Sequence, residues 1–164
     1  MSLTKMKVAI DCDDCAKELK AIIIAYLRDE KGINIVDLDY AGRANSALYP
    51  EIGYHLATKI QNGEFDRGIL LCGTGIGMAI IANKVEGVYA CVCHDVYSAE
   101  RLCKSNNAQV LTMGSRVIGP ELAKMIVDSW LGSEFTAGPS TPKVEQIKEL
   151  EHQSFHPDSN VQGR

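Results

Sequence analysis

Five short apolar runs, each followed by a stretch whose apolar residues recur at helical spacing, confine this chain to an alternating α/β architecture. Residues 7–12 read as a first strand and residues 16–28 as a helix with Leu19, Ile22, Ile23, Tyr26 and Leu27 along one face. Residues 33–38 read as a second strand. Pro50 then opens a helix carrying Ile52, Leu56, Ala57 and Ile60, and residues 68–72 form a third strand. A short helix over 78–82, a strand over 88–93, a helix over 98–104, a strand over 109–113 and a helix over 121–131 complete the pattern. This order predicts three layers: a five-stranded, mostly parallel sheet with helices on both faces and ligands at the carboxyl ends of the strands. Four segments distant in sequence are expected to meet along that edge: residues 11–14, 72–77, 93–95 and those after Met113.

The length of 164 residues suits a single domain, expected over residues 1–154. Beyond Gly132 the composition shifts to Gly, Ser, Thr and Pro, after which Val144, Ile147 and Leu150 fall at helical spacing up to about His152. This C-terminal helix has no core of its own, so it must pack on the domain or on another subunit. Residues 155–164 read as a disordered tail. The net charge of −4 and the lack of any lysine or arginine cluster argue against nucleic acid and acidic membranes as partners, leaving a small molecule. No apolar stretch approaches membrane-spanning length and no secretion signal is visible, so a cytoplasmic protein with its six cysteines reduced is expected.

The most chemically suggestive segment is Cys72 followed by Gly73, Thr74, Gly75, Ile76 and Gly77. The apolar run before it delivers the cysteine to the end of a buried strand. The alternating glycines let the backbone approach a ligand closely, and the helix behind them turns its positive end to the same point. Such a loop holds an anion, either a bound phosphate or an oxyanion formed during a reaction. No lysine follows Gly77 as a nucleotide-type phosphate loop requires. A thiol beside amide donors can serve as base or nucleophile, and the Thr74 hydroxyl can pass a proton between neighbouring oxygens. The bland alternative is a buried cysteine in a tight turn.

Other cysteines suggest less. Cys12 and Cys15 form a C-x-x-C, but the two aspartates between them oppose thiolate formation. Cys91, Cys93 and His94 are close in sequence, yet successive strand residues point to opposite faces and no second ligand pair has zinc spacing. No metal or organic cofactor is expected.

Taken together, Asp11-Cys12-Asp13, Tyr49-Pro50, residues 68–77, Ala82-Asn83-Lys84, Gly114-Ser115-Arg116 and Glu121-Leu122-Ala123-Lys124 resemble, in order, segments of the ribose-5-phosphate isomerase type B and galactose-6-phosphate isomerase family. The resemblance covers residues 7–150 and implies a Rossmann-like fold, a sugar phosphate as the small-molecule partner, no cofactor, and homodimers or dimers of dimers with shared active sites. It also implies that Cys72 is the base moving a proton between C1 and C2 of an open-chain sugar, that Thr74 assists transfer between the oxygens, and that the amides of Gly73, Gly75, Ile76 and Gly77 hold the enediolate. Asp13, Tyr49 and Asn106 match positions that contact the sugar. Each has a plainer role open to it: a helix cap, a packing ring before Pro50 and a turn residue, respectively.

The pattern breaks at informative places. The family's histidine after the first aspartate is Asp14 here, and the histidine associated with ring opening is Ser105. A tetrose 4-phosphate cannot close a furanose ring and needs no ring-opening group, and residues 105–109 resemble that branch. If a ring must be opened, His94 is the nearest candidate by topology. Of the family's arginines Arg116 is kept, whereas the later two positions are Pro139 and Lys143, so Arg116 and Lys143 are the expected phosphate cations, with Lys17 or Arg43 in reserve. The resemblance leads to an isomerase of the ribose 5-phosphate/ribulose 5-phosphate type, with a tetrose 4-phosphate, a hexose phosphate, an unphosphorylated sugar or a non-catalytic sugar-phosphate binder as alternatives.

Overall fold

The computed structural model describes residues 5–43 and 47–157. Five strands form one sheet in the order β2-β1-β3-β5-β4, with every neighbouring pair parallel. They are β1 (Lys7–Cys12), β2 (Asn34–Asp37), β3 (Arg67–Cys72), β4 (Ala90–Val92) and β5 (Val110–Gly114). Seven α-helices are present among the described residues: α1 (Lys17–Ala25), α2 (Tyr40–Arg43), α3 (Tyr49–Gln61), α4 (Ile76–Ala82), α5 (Val96–Lys104), α6 (Pro120–Leu131) and α7 (Thr141–Phe155). The all-parallel sheet agrees with the alternation in the sequence.

Side-chain alternation along the strands divides the core into two layers. Val8, Ile10, Cys12, Ile69, Leu71, Leu111 and Met113 face α1, α5 and α6, where Ile23, Leu27, Leu102, Ile126 and Trp130 complete the packing. Ala9, Leu70, Cys72 and Val110 face α3 and α4, against Ile52, Leu56, Ile60, Met78 and Ala82. Every residue of β3 is buried, as befits a central parallel strand covered on both faces. A fully buried Leu or Ile here contributes about 1.5–3 kcal/mol. Gly68 permits the close approach of α3, because a Cβ there would stand 2.4 Å from Leu56 Cδ2.

Three local departures from the sequence pattern have physical causes. The fourth strand contracts to three residues, because as an edge strand it pairs only with β5. Its outer side is held instead by Asn83, whose amide donates to Ala90 O at 2.8 Å and accepts from Ala90 N at 2.9 Å. The end of the first long helix opens into a π-turn over Tyr26–Glu30, where Tyr26 Oη donates to Asp128 Oδ2 at 2.6 Å. The C-terminal helix runs on through Phe155, so that residue is not part of a tail; residues 158–164 lie outside the described residues. Only Val144 of α7 is buried, and the helix docks through Glu151, which accepts from Gly87 N at 3.1 Å and Tyr89 Oη at 2.7 Å. No helix among the described residues is long and apolar enough to cross a membrane.

Candidate active site

The order of strands reverses between β1 and β3, since the chain leaves β1 toward β2 on one side and later builds outward from β3 on the other. Carboxyl ends flanking such a switch leave a crevice, because their connecting loops diverge. Asp13 follows β1 in extended conformation and donates its N–H to Leu71 O at 3.2 Å, which sets it beside the end of β3. Its carboxylate accepts from Cys15 N at 3.0 Å and caps a 3-10 turn over Asp14–Ala16. Burial raises the Asp13 carboxyl above its ordinary range, opposed by the Cys15 N–H and by nearby Arg116.

Cys72 ends β3 on the α3/α4 side of the sheet and is 6 % exposed. Gly75 N–H donates to its Sγ at 3.0 Å. The sulfur therefore addresses the glycine loop, and a main-chain donor supports negative charge there. Gly75 is left-handed (φ 78°), a turn that brings the loop back toward the sulfur and starts α4. The end of β5 then clamps the loop. Ser115 N–H donates to Cys72 O at 2.8 Å, Arg116 N–H to Gly73 O at 3.1 Å, and the buried Thr112 hydroxyl to Gly75 O at 2.9 Å. Such close contact needs Gly114, where a Cβ would stand 2.7 Å from Thr74 Cα.

Two further side chains close around the loop. The Tyr49 ring, at the first turn of α3, lies against Gly77 so tightly that a Cβ there would be 2.4 Å from Cε2 and 3.0 Å from the hydroxyl oxygen. The Arg116 guanidinium stands beside Gly73, 3.6–3.7 Å from a would-be Cβ, and Nη2 donates to Cys15 Sγ at 3.2 Å. The cluster thus holds a thiol, a loop of amides, the Thr74 hydroxyl, a carboxylate, a phenol and one guanidinium. Asp14 is fully exposed and pairs with Lys17 at 2.6 Å, so much of its charge is offset before it can repel an anion.

His94 also reaches this edge, but its Nε2 accepts the Gly114 N–H at 2.9 Å. Burial pushes its pKa down, which favours the neutral ring that this bond requires. The imidazole therefore props the end of β5 through Nε2, whose lone pair is taken by that bond and is not open to a substrate proton. Ser105, Asn106 and Lys143 are not brought to Cys72. Helix α5 starts at the carboxyl end of β4 and runs back, so Ser105 and Asn106 lie toward the amino ends of the strands, where Asn106 Nδ2 donates to Arg101 O at 3.0 Å. Residues 136–140, just before Lys143, line one depression together with Ser105.

Neither cysteine alternative gains support. Cys12 is buried among apolar side chains, which pushes its thiol up to about 12, and both Cys12 and Cys15 are free. The thiols of Cys91 on β4 and Cys93 just after it are hydrogen-bonded to each other, which lowers Cys91 and raises Cys93, while His94 is turned to Gly114. The sequence places Asp11 at this edge without a role; its buried carboxylate accepts from Cys12 N at 2.8 Å and Tyr40 N at 3.1 Å and so fixes the turn leading to Asp13. A lone acid in an apolar strand was the available signal.

Known proteins share this chain's sequence and fold over most of its length. The family model described as Ribose/Galactose Isomerase matches residues 8–147. A relative from Pectobacterium atrosepticum named D-erythrulose-4-phosphate isomerase is 52 % identical over 92 % of this chain and 99 % of its own length. Ribose-5-P isomerase B of Listeria innocua is 47 % identical over 91 % of this chain and 99 % of its own. The structure of Clostridium thermocellum ribose-5-phosphate isomerase B superposes with a TM-score of 0.84 at 40 % identity, covering 91 % of this chain and 99 % of that one. The chain is accordingly an aldose–ketose isomerase that belongs to the ribose/galactose isomerase family.

Proposed function

We propose that this enzyme interconverts the aldose and ketose forms of a four-carbon sugar 4-phosphate. One observation carries the reading: Ser105 stands where a ring-opening histidine is expected, and the nearest substitute, His94, has its Nε2 committed to Gly114. A substrate that cannot cyclise through its blocked O4 needs no such group. The Pectobacterium relative, named for erythrulose 4-phosphate, is more similar to this chain than the Listeria ribose-5-phosphate type, which favours a pentose 5-phosphate as the second reading.

Starting from the aldose, the Cys72 thiolate takes the proton from C2, and the C–H electron pair becomes the C1–C2 double bond as charge moves to O1. Amides of the loop receive that charge. Thr74 passes the O2 proton to O1, and the protonated Cys72 returns its proton to C1, giving the ketose. Arg116 holds the phosphate in the same subunit. Ser105 and Asn106 follow α5 at the far end of the sheet from Cys72, so the reading includes a homodimer in which Asn106 and Lys143 of a second copy complete each site.

Incubation in deuterium oxide with tetrose, pentose and hexose phosphates and an unphosphorylated tetrose tests this directly. Deuterium is expected at C2 of erythrose 4-phosphate, with turnover at least ~10-fold faster than on ribose 5-phosphate. Faster exchange on the pentose refutes the four-carbon assignment, and exchange on none would make the chain a binder without catalysis.

A further inference from the structure

Two histidines at the end of α7 are not used by the isomerase site. His152 lies in the last turn of α7 and His156 caps it, with the His156 N–H donating to His152 O at 2.9 Å, which holds the two rings on one side of the helix end. Glu86, in the turn after α4, stands opposite them. His152 Nδ1 lies 3.5 Å from Glu86 Oε1, and His156 Nε2 lies 3.0 Å from each Glu86 oxygen. All the donor atoms fall within 4.8 Å of one another, and the two rings are 4.6 Å apart.

We propose that Glu86, His152 and His156 form a site for a divalent transition metal of the zinc type, which fastens the C-terminal helix to the body of the domain. Tetrahedral coordination at about 2.1 Å separates neighbouring ligand atoms by roughly 3.4 Å. The His152–Glu86 distance already matches that spacing and the His156–Glu86 distance falls about 0.4 Å short of it, so a small opening of the second and an inward rotation of the imidazole pair complete the shell. Two imidazoles and a carboxylate select zinc, nickel or copper over magnesium and calcium, which prefer oxygen-only shells. Water fills the remaining positions at this half-exposed surface.

The location gives the metal something to do. Helix α7 buries a single side chain, Val144, and leaves Leu150 59 % exposed, so its docking rests on Glu151 and on the histidine contacts. Glu86 belongs to a segment already fixed, since Gln61 Nε2 donates to its carbonyl at 2.9 Å. A metal bridging that segment and the helix end would stabilise the docked helix by its preference for that state.

Calorimetric titration of the full reduced chain with zinc chloride tests the site, with hydrogen exchange at residues 150–156 as second readout. One equivalent is expected to bind and to slow exchange there. The His152→Ala/His156→Ala variant, whose replaced rings are on the surface, should bind at least ~10-fold more weakly. A Cys91→Ser/Cys93→Ser variant should bind as the parent does. No saturable binding, binding that survives loss of both histidines, or binding lost with the cysteines overturns the assignment. Binding without slower exchange overturns the fastening role.

Discussion

Replacing Gly114 by alanine should damage catalysis far more than folding. The residue pairs with Cys72 across β3 and β5, and its φ is not in the left-handed region, so alanine suits the backbone there. Space is what alanine lacks: its Cβ would lie 2.7 Å from Thr74 Cα, 2.8 Å from Thr74 C and 2.9 Å from Gly73 O. Carbon atoms pack at about 3.5–4.0 Å, so the shortfall is roughly 1 Å. All three obstacles are main-chain atoms, and no rotamer change relieves them. The loop must therefore move away from β5, pulling on the bonds from Ser115, Arg116 and Thr112. Overpacking of this size costs about 1–3 kcal/mol, a fall in Tm of roughly 2–4 °C per kcal/mol for a domain of this size. A displacement near 1 Å between amides and reacting oxygens lowers kcat by about 10²-fold. Steady-state kinetics on the preferred sugar phosphate, with thermal unfolding in parallel, measures both. Gly119→Ala is the control, because a Cβ there meets nothing within 4 Å, and it should leave both unchanged. A Gly114→Ala enzyme with parental kcat would refute the link between loop position and rate.

Cys72→Ser should lose about 10²–10⁴-fold in kcat with the fold intact, because a hydroxyl is a far weaker base than a thiolate. Mixing it with an inactive Asn106→Ala chain should restore part of the activity; no recovery under subunit exchange would exclude sites shared between copies. The folded pKa of His94 is lowered, so its stabilising contribution is complete above the unfolded value of 6.5 and is lost as pH falls through the lower folded value. His94→Gln keeps a neutral acceptor for the Gly114 N–H. Urea midpoints of the parent should therefore drop on acidification below that pH more steeply than those of the variant, and parallel profiles would show that the ring does not carry this dependence.

The strands were legible because a parallel sheet covered on both faces leaves an uninterrupted apolar signature, clearest in Ile69-Leu70-Leu71. The glycine loop was equally plain, since three alternating glycines after such a run have few structural uses. Strand order was not, because pairing between β5 and β3 depends on contacts that local periodicity does not encode. Helix α2 escaped notice because four residues are too few to show a period. The part of His94 was hidden for a different reason: its neighbour Gly114 is 20 residues away, and an acceptor for a main-chain amide has no spacing rule. The placement of Ser105 and Asn106 away from Cys72 follows from the direction of α5, visible only once β4 is placed.

The placement of β5 between β3 and β4 has a consequence for synthesis on the ribosome. Strand β4 is made first yet has no strand to join until residues 110–114 appear, so a nascent chain of about a hundred residues carries an open edge on β3 and a loose fourth strand. The same late segment supplies Thr112, Gly114, Ser115 and Arg116, which give the Cys72 loop its shape. Closure of the sheet and assembly of the reactive pocket are thereby one event, and a chain cut short before β5 would have neither.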